Sequence, residues 1–201
     1  MSGHIDEFKL VVGSMAILGI AVSALVVVPH MLLSTVRPSA ALKPYTEQQL
    51  RGREVYVANG CVYCHSQQPR DPAQAPDFTR GWGRPSVAAD YAYDKPHLLG
   101  TMRTGPDLFN IGVRQPSVDW HLGHLYQPRA YTEGSTMPAF PFLFSEHAGP
   151  PVAGEKSINL PPQYAKPGVT VVASQAVQDL AAYLLSLDHS YPVLPADKGT
   201  R

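Results

Sequence analysis

The pattern of apolar and polar positions divides the chain sharply near residue 37. Leu10 to Val36 contains no Asp, Glu, Lys or Arg and is bracketed by Lys9 and Arg37. As a helix that run is roughly 40 Å long at about 1.5 Å per residue, enough to cross a bilayer with some tilt. Its most apolar part, Leu10 to Val28, ends at Pro29 and His30, and a proline there predicts a kink or loosening near one interface. The competing reading is a cleaved signal peptide, with Ser39 and Ala41 as a small-residue cleavage site. Such a peptide has an apolar core of only ~7–15 residues, so the pattern favours an anchor. Gly19 and Ser23 form one small-xxx-small step, which permits close contact with another helix.

Beyond the anchor the pattern changes character. Residues 37–45 read as a Pro-containing linker. Thr46-Glu47-Gln48-Gln49 is a capping-box signature that opens a helix, expected to run to about Ala58 and to end at Asn59-Gly60. Ser66 to Gly112 is rich in Pro, Gly, Asp and aromatics without clear periodicity and reads as ordered loop. Ser117 caps a short helix to about Tyr126, Gln127 to Pro141 reads as extended, and His147 to Gly168 as another loop. Ser174 to Leu187 is the last helix, with Val177, Leu180, Ala181 and Leu184 on one face. Few helices, much loop and little strand make a poor core unless a large buried cofactor completes it.

Composition narrows the class. Sixteen basic and 16 acidic residues cancel, which excludes the basic excess of a nucleic-acid binder. Charged residues are 16% of the chain, against about 25% in a typical soluble protein. The charges flanking the apolar run (His4, Asp6, Glu7 and Lys9 before it, Arg37 and Lys43 after it) do not orient it. The chain has 2 cysteines, Cys61 and Cys64, too few for a disulfide framework or a four-ligand zinc site.

Those cysteines belong to Cys61-Val62-Tyr63-Cys64-His65, the C-x-x-C-H signal for covalent c-type haem. Each thiol adds across a haem vinyl group, and His65 then offers Nε2 to the iron as the proximal ligand. A thioredoxin-like dithiol would need a strand–turn–helix context, which is absent here. A second axial ligand is expected downstream. Met1, Met15 and Met31 lie in the anchor region, and Met102 precedes the stretch expected to back the histidine, which leaves Met137 in Ser135-Thr136-Met137-Pro138. His121, His124 and His147 are the alternatives. A thioether favours ferrous iron and raises the reduction potential.

With these residues in view, the chain resembles the class I cytochrome c domain: Gly52-x-x-x-Tyr56, the haem motif, Thr104-Gly105-Pro106-Asp107-Leu108, then Met137-Pro138. The resemblance implies that Gly52 and Tyr56 cross Leu180 and Tyr183 of the last helix. It also implies that the Pro106 carbonyl accepts the Nδ1–H of His65, fixing its tautomer. More narrowly, the chain is similar to the monohaem cytochrome c subunit (subunit II) of cbb-type, C-family haem–copper cytochrome c oxidases. The similarity runs over Pro44-Tyr45-Thr46, Gly52-Arg53-Glu54-Val55-Tyr56, Tyr93-Asp94-x-Pro96, Arg103 to Leu108, Gly112-x-Arg114 and Asp119-Trp120-His121-x3-His124-Leu125. It continues through Pro128-Arg129, Met137 to Pro141 and the C-terminal Ala182 to Leu187. It departs at Gln68-Pro69-Arg70-Asp71-Pro72, and the 146–168 loop looks like an addition.

What the resemblance implies is a mainly α chain: one N-terminal transmembrane helix followed by a class I cytochrome c-like haem domain with long loops. The expected divisions are an anchor at 1–36, a linker at 37–45, a cytochrome c domain at 46–190 and a tail at 191–201. The implied role is electron relay from a donor cytochrome c or another cytochrome subunit to a large multi-helix haem–copper catalytic subunit that reduces oxygen, with no catalysis by this chain alone. The implied site is one in the bacterial inner membrane, single-pass among its lipids, with the N-terminus cytoplasmic and the haem domain periplasmic. Arg114 and Trp120 are candidate haem-propionate contacts; Arg103, Arg129 and Trp82 are propionate or interface candidates. Related complexes hold a calcium ion near the subunit interface, for which Ser86 and Tyr91 are candidate ligands. The cytochrome subunit of nitric oxide reductases, a free-standing anchored shuttle, and a peroxidase with an open sixth iron position are the other readings; Met137 argues against the last.

Overall fold

The computed structural model of the chain describes residues 6–193. His4, Met1 and residues 194–201 of the expected tail lie outside the described residues. The chain is mainly helical. Its first helical stretch, Glu7–Leu33, spans 27 residues, with a mean hydropathy of 2.6 in its most apolar window and none of that window covered by the rest of the chain. It is long and apolar enough to cross a membrane. It has three parts: α1 (Glu7–Val22), a π-helical turn (Ser23–Val27) and α2 (Val28–Leu33). The loosening expected at Pro29 therefore takes the form of a widened turn just ahead of it. Proline has no N–H for the carbonyl one turn back, and its ring crowds that turn. In the widened turn the Val28 N–H reaches back to the Ser23 carbonyl.

α3 (Glu47–Ala58) begins at the expected capping box: Gln49 N donates to Thr46 Oγ1 and Thr46 N donates to Gln49 Oε1 at 2.8 Å. It ends at Asn59, followed by Gly60 at a φ of 70°, a left-handed conformation that costs a glycine little. α4 (Ile111–Arg114) is a single turn, and α5 (Val118–Tyr126) is capped by Ser117, whose Oγ accepts from Trp120 N at 3.2 Å. α6 (Gln175–Ser186) starts at Ser174, which caps Val177 N.

α3 crosses α6 at Gly52 and Tyr56. A Cβ at Gly52 would overlap the Asp179 carbonyl, so only glycine permits this approach. Tyr56 meets Tyr183 with ring centroids 5.5 Å apart. Leu108, Ile111, Leu122, Leu125, Val177, Leu180 and Leu184 complete the buried core.

The segment between α5 and α6 corrects the sequence expectation. β1 (Phe144–Ala148), β2 (Ser157–Ile158) and β3 (Val169–Ala173) form an antiparallel sheet in the order β1-β3-β2, so part of the 147–168 loop is strand. Phe144 pairs with Ala173, Ala148 with Val169 and Ser157 with Val172. β3 reads Val-Thr-Val-Val-Ala, a β-branched run that recruits two weaker partners. Residues 127–141 are less extended than expected, because turns of 3-10 helix occupy Pro128–Ala130 and Pro141–Leu143. Both ends of the expected domain are also tied more widely. Tyr45 of the linker donates to Asp94 at 2.9 Å, and Tyr191 of the tail donates to Asp90 at 2.8 Å.

Candidate haem site

The haem-attachment motif begins where α3 stops. Cys61–Tyr63 forms a 3-10 turn, and His65 N donates to the Cys61 carbonyl at 3.0 Å, closing the motif on itself. The following chain returns as Thr104 to Leu108 and brackets the histidine. Gly105 N donates to the Cys64 carbonyl at 2.9 Å and Leu108 N to the Ser66 carbonyl at 2.7 Å. Between these two bonds, His65 Nδ1 lies 2.7 Å from the Pro106 carbonyl. A carbonyl can only accept, so Nδ1 carries the proton and the Nε2 lone pair is left free. Burial lowers the His65 pKa from its ordinary value, with the Pro106 bond acting the other way, which favours the neutral ring that metal ligation needs. Burial also pushes the Cys61 thiol up to about 11. Gly105 is as constrained as Gly52: a Cβ there would overlap the His65 ring.

His65 opens onto a cavity of about 500 Å³, within the usual range for a bound cofactor. Cys64, Met137, Arg114 and Trp120 all line it, with Leu108, Ile111, Leu125 and Leu184 as apolar walls. Met137 N is fixed by Ser135 Oγ at 3.3 Å. The imidazoles of His65 and His124 and the thioether of Met137 line a mostly apolar cavity with a thiol on its wall, and His65 with Met137 is a donor pair suited to a haem iron. The Arg114 guanidinium donates to the Asp107 carbonyl, but its buried Nε has no hydrogen-bond partner in the protein, and an anionic cofactor substituent would satisfy it. The residues present fit haem c.

A family comparison bears on this geometry. The model of the family described as cytochrome c oxidase, mono-heme subunit/FixO, matches residues 4–161. The chain belongs to the FixO family. No curated protein matches it significantly. The FixO match takes in the apolar helix, the haem motif and Met137, and runs through most of the 146–168 segment that looked like an addition.

Within this FixO chain the other sequence candidates separate clearly. Arg114 and Trp120 lie on the cavity; Arg103, Arg129 and Trp82 are not among its lining residues. Arg103 instead ties the loops together. It donates to Asp77 at 2.6 Å, to Ser66 Oγ at 3.0 Å and to the Gln68 carbonyl at 2.8 Å, with Trp82 beneath its guanidinium. Asp107, fully buried, accepts from Ser66 Oγ at 2.5 Å and from Gln68 N at 2.8 Å. This buried network escaped sequence reading, as did the bidentate Arg84–Asp90 pair that Tyr191 joins.

Met102, set aside on its position in the sequence, is exposed; of the alternative ligands, His121 is bonded to the Gln115 carbonyl at 2.9 Å and His147 lies on β1 beside Glu155. Only His124 among them lines the cavity. The calcium candidates gain no support. Tyr91 OH donates to the Gln67 carbonyl, Ser86 Oγ is 3.5 Å from the Pro69 carbonyl, and no cluster of three or more His, Cys, Asp or Glu occurs among the described residues.

Proposed function

We propose that this chain is the membrane-anchored electron-transfer subunit of a respiratory terminal oxidase. It carries one haem c in a cytochrome c-like domain and relays electrons from a donor cytochrome to the haem–copper subunit that reduces oxygen. The observation that carries this reading is the single cavity lined by both His65 and Met137, with Cys64 on its wall. Haem bound there supplies the one-electron iron couple. Cys61 and Cys64 would hold it through thioethers, and His65 Nε2 and the Met137 sulfur would be the protein donors to its iron. The Pro106 carbonyl keeps the His65 proton on Nδ1, so the ring presents its lone pair in a fixed orientation. Leu108, Leu125 and Leu184 give the cavity apolar walls that would exclude water from a bound haem, and Arg114 and Trp120 on the same lining would be available to its polar substituents. Because haem is attached outside the cytoplasm, the helix is oriented with its N-terminus inside and the domain on the periplasmic face.

The test is direct. After denaturation in acidified organic solvent the chain should retain its haem colour, and Cys61→Ser with Cys64→Ser should lose it. Met137→His should abolish the weak far-red sulfur-to-iron band and lower the potential. Extractable haem in the parent chain would sink the covalent assignment. In mild detergent a large multi-helix subunit should copurify; isolation of the chain alone would point to a free-standing carrier.

A further inference from the structure

α5 brings two imidazoles to different fates. His121 is bound to the Gln115 carbonyl and faces away from the cavity, whereas His124 is on the cavity wall. The His124 ring stacks on Trp120 with centroids 4.5 Å apart and planes 10° from parallel, and Tyr131 meets it edge-on at 6.4 Å. Its orientation is therefore set by packing. Its Nδ1 is buried without a hydrogen-bond partner, while Nε2 is not closed off in this way.

A neutral imidazole has one N–H to place. Put on Nδ1, that proton would sit in a dry pocket with no acceptor, whereas Nε2, on a ring that lines the cavity, is not closed off in this way. Burial, the largest cause, holds the ring at about 4, so it is neutral at pH 7. The cavity wall thus carries a neutral ring whose Nε2–H is free to donate, with Arg114 the cation and Glu133 the carboxylate also lining it. The anionic substituents of a haem are its two propionates, and a fixed N–H donor suits a carboxylate.

We propose that His124 is a positioning residue for the cofactor, donating Nε2–H to a haem propionate while Trp120 holds the ring plane. This rests on the haem reading above. A neutral donor draws off part of the carboxylate's negative charge without adding a cation, so it disfavours ferric iron and supports a high potential.

Two variants of the full-length haem-loaded chain separate this role from packing. His124→Phe keeps a ring to stack on Trp120 and loses the donor. His124→Gln loses the stack and keeps an N–H at a similar reach. Spectroelectrochemistry on His124→Phe should show the oxidised form favoured about tenfold, a fall of ~59 mV for a one-electron couple. The propionate-bending band in its resonance Raman spectrum should shift, and the far-red sulfur-to-iron band should persist. His124→Gln should stay near the parent in both readouts. A His124→Phe potential and propionate band equal to the parent's would overturn the proposal and leave His124 a packing ring. Loss of the sulfur-to-iron band in that variant would also overturn it, by tying the ring to the iron. Extractable haem in the parent is a separate result, which fails the haem reading itself.

Discussion

His121 is 3% exposed, and burial holds its imidazole at about 4, against an ordinary 6.5, with the Gln115 carbonyl acting the other way. Between those values the unfolded chain binds a proton that the folded chain refuses, so stability is full above pH 6.5 and falls as pH drops toward 4. The contribution approaches about 1.4 kcal/mol per pH unit for one proton. Thermal unfolding of the chain in detergent between pH 7 and 4.5 should show this loss. His121→Leu should lower stability throughout, through the lost bond to Gln115, yet reduce the slope by about one proton's share, leaving the share of His124, which burial also holds at about 4; an unchanged slope would mean that His121 contributes nothing. At this scale the sequence was readable where chemistry is contiguous. Cys61, Cys64 and His65 stand out as a haem-attachment signal because thioether attachment would need them close together in the chain. Asp77 and Arg103 do not, because their 2.6 Å contact joins residues far apart in a stretch without periodicity.

Elements were legible in proportion to their local signals. α3, α5 and α6 carry Thr46, Ser117 and Ser174 as caps, each of which accepts the expected backbone bond. The sheet lacked such marks. β1 reads Phe-Ser-Glu-His-Ala with no alternation, β2 has 2 residues, and only β3 is β-branched enough to declare itself. The α3–α6 crossing, by contrast, depends on one atom's worth of space. Gly52→Val would drive a branched side chain into the Asp179 carbonyl, an overpacking cost of about 1–3 kcal/mol. Chemical denaturation should show a lowered midpoint and the holo-protein a reduced haem yield. A variant with parent stability would mean that α3 can slide along α6, contrary to the tight approach described.

The molecule joins an apolar helix long enough to cross a membrane to a charged, folded remainder, and that contrast was plain from the charges alone. The cavity was not, since its lining comes from Cys64 and His65, from the segment between Thr104 and Pro138, and from Leu184. That His65 and Met137 line one cavity accords with the few soft donors in the chain; the place of His124 on the same wall required the fold. The π-helical turn at Ser23–Val27 carries a consequence for how anchor and domain are mutually aligned. Such a turn stores one surplus residue while the flanking α-helical stretches keep their angular phase. Deleting Ala24 should let the turn tighten to ordinary α geometry, leaving the two flanks facing as before. Deleting Ile17 instead removes a residue from regular helix and rotates one flank by about 100° against the other. Copurification with the oxidase should therefore survive the first deletion far better than the second, and equal losses would show that azimuth in the membrane does not matter. In that sense the turn is a length reserve: a place where the span can lose a residue to suit a thinner bilayer without turning its face from its neighbour.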